Sequence, residues 1–228
     1  MNTLIFFIFI VESAMAQVTV LEPITFDSID VPQLIDESDY PDLNKFNHEY
    51  EIDLVGQVTG VTCWAAGAAM IVGWIDEVSI SVEEIVGGVG YWAQYDNEKY
   101  SIDNRLAASD LNMFEVWGLI PDTRYDFTLE SLSELLWNYG PLWVASDEDL
   151  AGDGSAEAHI RVIGGISGDG SPEGTLLTIY DPWEKNSRRF REGNLGSVYT
   201  ETYSEFISKM QHLIEKENSR DAIYLAYP

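Results

Sequence analysis

From Cys63 to Ile75 the chain reads Cys-Trp-Ala-Ala-Gly-Ala-Ala-Met-Ile-Val-Gly-Trp-Ile, a run with helical character and almost no polar position on any side. A helix that is apolar all round cannot lie on a surface and has to be enclosed by other elements. Whatever fold the chain adopts is therefore built around this segment. The chain is long enough to do so: 228 residues, 46% of them apolar, can bury one substantial core in one domain or at most two small lobes.

The segments around that helix are unevenly distributed. Ser81-Val82-Glu83-Glu84 has the form of a capping box opening a helix near Ile85, residues 110–117 read as helical, and another helix runs from Thr128 to near Gly140. Beyond Gly140 the character changes to β-rich runs at 141–145, 158–163, 175–180 and 222–227, separated by Gly, Asp, Ser and Pro turns. A helix over about 203–214 interrupts them. Helices first and strands later describe an α+β protein in which a helical lobe packs on an antiparallel sheet lobe.

Residues 1–16 carry an apolar stretch, Leu4 to Val11, and the small-x-small ending Ala14-Met15-Ala16 of a secretory signal peptide, although no Lys or Arg precedes the stretch. The expected location is secreted or periplasmic. The stretch is too short for a stable membrane anchor. Residues 17–50 are acidic and broken by Pro23, Pro32 and Pro41, and read as an extended arm ahead of a domain over 51–228. A formal charge of -27 repels phosphate backbones, and no long basic stripe reverses it, so nucleic acid is not an expected partner. The one basic cluster, Lys185, Arg188, Arg189 and Arg191, reads as a charged hairpin, with an acidic substrate as the sharper alternative.

Cys63 is the sole cysteine. It can form neither an internal disulfide nor a multi-cysteine metal site, which leaves packing or reactivity. At the first turn of a helix, unpaired N–H groups and the positive end of the dipole favour thiolate. A nucleophilic thiol needs a base, and three histidines are available. His212 lies on a polar helix and His48 in the acidic arm, both read as solvated. His159 opens an apolar strand after a Gly-rich acidic loop. The following strand ends in Tyr180-Asp181-Pro182-Trp183, and if the two strands are neighbours Asp181 can orient the imidazole. Gln57, on a loop leading into the helix, can supply a side-chain N–H beside that of Cys63 as an oxyanion hole. Each residue alone has a plainer reading: a buried cysteine, an edge histidine, a turn aspartate, a surface glutamine.

Taken together, Gln57 to Met70, residues 140–144, His159 with its strand, and Asp181-Pro182-Trp183 resemble the papain-like cysteine peptidases, especially their compact bacterial branch of secreted effector proteases. The resemblance implies a two-lobed papain-like fold, Cys63 as nucleophile, His159 as base and acid, Asp181 as orienter and Gln57 as oxyanion donor. Trp64 and Trp183 would line the substrate site, with Trp183 shielding the His–Asp pair. The chain departs from the plant-type enzymes, which have a Cys-Gly-Ser-Cys-Trp context, an Asn in the third position and a longer stretch between Cys and His. The expected activity is a cysteine endopeptidase acting on protein or peptide through an acyl-enzyme, without cofactor or metal. The alternatives are a cell-wall amidase or acyl transferase with the same residues, and a non-catalytic exported binding module. Calcium held by Asp147, Glu148, Asp149 and Asp153, or by Asp169 and Glu173, matches no specific loop motif.

Overall fold

The apolar run folds as helix α1, Cys63–Asp76, in a computed structural model that describes residues 46–89, 112–122, 124, 126–147, 158–184, 193–217 and 223–228. These residues belong to one unit, Tyr40–Pro228. Every residue from Trp64 to Val72 is buried, as a helix without a polar face requires. It stops at Glu77, whose left-handed backbone (φ 55°) lets its N–H reach the Gly73 carbonyl.

Four further helices follow among the described residues: α2 (Val82–Val89), α3 (Asn112–Trp117), α4 (Leu129–Tyr139) and α5 (Tyr203–Glu217). The predicted capping box is present at α2: Ser81 N–H donates to Glu84 at 2.8 Å, and Glu84 N–H donates to the Ser81 hydroxyl at 3.2 Å. The same reciprocal pair, Thr202 with Glu205, opens α5. Thr128 caps α4 by accepting from Ser131 N–H.

The strands are β1 (Asn47–Glu49), β2 (Ile120–Asp122), β3 (Leu142–Asp147), β4 (Ala158–Gly168), β5 (Thr175–Asp181), β6 (Ser197–Thr202) and β7 (Leu225–Tyr227). They form one seven-stranded antiparallel sheet in the order β2-β7-β3-β4-β5-β6, and β1 pairs with the far half of β4. The result is the expected α+β architecture. Residues 47–49, read from composition as part of the arm, belong to the sheet. Phe46 is buried in the core, and Tyr50 donates its hydroxyl to the Leu136 carbonyl at 2.6 Å. A strand of Asn-His-Glu carries no hydrophobic alternation, so its membership shows only in its backbone pairing to β4. The remainder of the arm and residues 1–16 lie outside the described residues.

Helix α1 lies against β3 and β4 at Gly67. A Cβ there would stand 2.9 Å from Trp143 Cδ1 and 3.0 Å from Ile160 Cγ2, so a glycine permits the close approach. Trp143 Nε1 donates to the Trp64 carbonyl at 3.1 Å. Successive residues of a strand face opposite sides, so Arg161 points away from the face that Ile160 gives to α1. Its guanidinium sits over the Phe206 ring of α5, 5.7 Å from the centroid. The sheet is thus covered on both faces, by α1 on one and α5 on the other. Among the described residues no helix is long and apolar enough to cross a membrane.

Candidate active site

Cys63 is the first residue of α1 and is partly exposed. Thr62 before it is fully buried, but its hydroxyl does not cap the helix. It accepts from the N–H groups of Val58 (3.1 Å) and Thr59 (3.0 Å) and so folds the 58–62 loop back on itself. The sulfur is left beside the first turn of α1, where backbone N–H groups have no intrahelical acceptor.

His159 is the second residue of β4 and Asp181 the last of β5, and these strands are antiparallel neighbours. His159 Nε2 lies 2.7 Å from Asp181 Oδ1, and the ring also couples electrostatically to the Cys63 side chain. Nε2 faces the carboxylate, which leaves Nδ1 for the sulfur. Burial opposes a charge on the ring, but the hydrogen bonds and charges of Asp181 and Cys63 outweigh it, and the His159 pKa is pushed up to about 10. Burial likewise opposes the charge of Asp181. Its hydrogen bond and Coulombic attraction to His159, the Trp183 N–H and the nearby Arg161 prevail and hold it below the ordinary carboxylate value. Both Asp181 oxygens are engaged: Oδ1 accepts from Trp183 N–H at 2.7 Å and Oδ2 from the Tyr199 hydroxyl at 3.1 Å.

The Gln57 loop is tied to the same end of the sheet. Gln57 N–H donates to the Pro182 carbonyl at 3.0 Å, and the Asn194 amide donates to both the Gln57 and Pro182 carbonyls. A Cβ on Gly56 would lie 2.2 Å from the Asn194 carbonyl oxygen, so only glycine fits where the two loops touch. The Gln57 side chain is buried, with Nε2 donating to the Thr59 carbonyl at 2.8 Å and Oε1 without a hydrogen-bond partner. Thiol, imidazole, carboxylate and amide-bearing loop therefore converge from α1, β4, β5 and the segment before α1.

The family described as papain-like cysteine protease AvrRpt2 matches residues 43–201, which span all four residues. The chain belongs to this family of papain-like cysteine proteases. It is a cysteine-type hydrolase with a protein or peptide substrate. No curated protein and no solved structure matches the chain.

The structure of this papain-like protease also places the other residues singled out in the sequence. Trp64, taken as a substrate contact, is only 3% exposed and packs inside the core beside Trp143, because the second residue of an enclosed helix faces inward. Trp183 is partly exposed next to Asp181. His212, read as solvated, holds Asp147 through Nδ1 at 2.5 Å, and Asp147, weighed as a calcium ligand, is the fully buried end of β3. The sequence shows the polar face of α5 but not the strand end beneath it. His48 is half-buried with its ring tilted against Trp137, centroids 4.5 Å apart, and burial lowers its pKa. Asp169 caps a turn by accepting from Ser171. Among the described residues no cluster of His, Cys, Asp or Glu could hold a metal ion. Glu148, Asp149, Asp153 and the basic cluster Lys185, Arg188, Arg189 and Arg191 lie outside the described residues.

Sequence reasoning passed over Asn194, Tyr199 and Arg161. For Arg161 a signal existed: a charge two residues beyond His159 in an otherwise apolar strand has to be buried with a partner.

Proposed function

We propose that this protease is an endopeptidase using Cys63 as nucleophile, His159 as general base and acid, and Asp181 as the group that orients the ring. The observation that supports the reading is the imidazole itself, bonded to Asp181 at 2.7 Å and coupled electrostatically to the Cys63 side chain. The proton released by the thiol resides on His159, which holds a proton well above neutral pH. The sulfur attacks the amide carbonyl carbon, and the C=O electron pair moves onto oxygen. That oxyanion is met by the Cys63 N–H and by the second Nε2 hydrogen of Gln57, the first being held by Thr59. As the oxyanion collapses, the C–N bond breaks and His159 Nδ1 protonates the departing amine, leaving a thioester. Water then gives its proton to the neutral ring, its oxygen attacks the thioester carbon, the C–S bond breaks and the proton returns to the Cys63–His159 pair.

Cys63→Ala is expected to abolish turnover of a labelled protein substrate while circular dichroism and the melting temperature stay close to wild type. Unchanged turnover in that variant rejects the mechanism. Residues 1–16 are proposed as the leader of a secreted or periplasmic form. An exported product whose N-terminus is not Gln17 counts against that assignment.

A further inference from the structure

We infer that Tyr199 is a positioning residue for the active site, holding Asp181 in register with His159, and that the buried Arg161 in turn holds Tyr199. The inference rests on the assignment of Cys63, His159 and Asp181 as the reacting set.

Strand geometry puts these side chains together. His159 and Arg161, two apart on β4, share one face. The register that pairs Val162 with Tyr180 and Ile163 with Ile179 carries Arg161 to the level of Asp181. On β6, Ser197 is opposite Asp181, and Tyr199 is its diagonal neighbour on the same face. Three adjacent strands therefore present an imidazole, a guanidinium, a carboxylate and a phenol to one side.

The hydrogen bonds have a direction. Arg161 Nη1 donates to the Tyr199 oxygen at 3.1 Å, and the Tyr199 hydroxyl donates to Asp181 Oδ2 at 3.1 Å. A phenol whose oxygen already accepts from a guanidinium is a stronger donor and has its hydroxyl turned toward the carboxylate. Arg161 is itself fixed: it is fully buried, donates from Nε and Nη2 to the Ser146 hydroxyl, and pairs with Glu201 at 2.8 Å, whose other oxygen meets Lys209 at 2.7 Å. Burying a guanidinium is costly unless it is paired and hydrogen-bonded. This cluster meets that requirement and presents its outer edge to the site. Asp181 Oδ1 is shared by His159 and Trp183 N–H, so the Tyr199 contact at Oδ2 is the side-chain bond that resists rotation of the carboxylate away from the ring.

The test uses the full chain and the alkylation of its one cysteine by iodoacetamide, followed by intact mass, at about pH 7 and again at about pH 10.5, where an ordinary thiol is ionised without help. Tyr199→Phe keeps the ring and removes only the hydroxyl. It is expected to slow alkylation at about pH 7 by roughly tenfold and to react like wild type at about pH 10.5, with unchanged circular dichroism. In an Asp181→Ala background Tyr199→Phe is expected to have no further effect, because it acts through Asp181. If Asp181→Ala does not fold, His159→Ala supplies the background. Wild-type alkylation of Tyr199→Phe at about pH 7 overturns the inference. So does a loss of the same size when Asp181 or His159 is absent, since the hydroxyl would then be acting elsewhere. Wild-type alkylation of His159→Ala overturns the mechanism beneath it, and the two failures are thereby told apart.

Discussion

The charge on His159 makes stability depend on pH in a window that few other groups share. Its folded pKa of about 10 stands well above the reference value of 6.5 that applies when the chain unfolds, because Asp181 and Cys63 favour the imidazolium more than burial disfavours it. The gap corresponds to about 5 kcal/mol at roughly 1.4 kcal/mol per pH unit. Raised pKa values contribute stability fully below the unfolded value and lose it as pH climbs through the folded one. From about pH 7 to about pH 8.5 the unfolded ring is already deprotonating while the folded ring is not. In a Cys63→Ala background, where no thiol proton is exchanged with the ring, the unfolding free energy should therefore fall by up to about 2 kcal/mol across that interval. Urea denaturation at a series of pH values, followed by tryptophan fluorescence, measures it. Adding His159→Gln removes the titrating group, so the curve of the double variant should be flatter than that of Cys63→Ala by this amount. His48 works in the opposite sense, because burial lowers its pKa, but it is common to both proteins and cancels in the difference. Two parallel curves would show that His159 is not held charged by Asp181, and the reasoning would fail.

Asp181→Asn should lower kcat by about 10- to 100-fold with a smaller change in KM, less than the loss in Cys63→Ala, because an amide oxygen can still accept from the ring; steady-state kinetics on a labelled protein substrate decides it. Gly56→Ala should destabilise by about 1–3 kcal/mol in urea titrations, since its methyl would meet the Asn194 carbonyl and force apart the loops carrying Gln57 and Pro182. His212→Ala should cost about 1–3 kcal/mol by removing a hydrogen-bond partner from the fully buried Asp147, while alkylation of Cys63 stays at the wild-type rate, because that pair is separate from the site.

Much of this fold could be read before any tertiary contact was known, since its signals are local. The enclosed α1 helix follows from its composition, the opening of α2 from Ser81 and Glu84 three residues apart, and the strands bearing His159 and Asp181 from β-rich runs bounded by turn residues. The positions of Cys63 ahead of the helix, His159 at a strand start and Asp181 at a strand end were equally visible, and with them the outline of the candidate site. Pairing was not. Strand β1 has no hydrophobic alternation and is recognised by its pairing with the β4 backbone, Trp64 turns into the core because of what surrounds α1, and His212 meets Asp147 because α5 crosses the end of β3. The link from Arg161 through Tyr199 to Asp181 likewise depends on the register of β4, β5 and β6. Helix propensity, capping and turn chemistry act between residues a few positions apart and are written in the order of the chain. Which distant side chains share one face and reach hydrogen-bonding distance is decided only when the strands pair and the helices close over them.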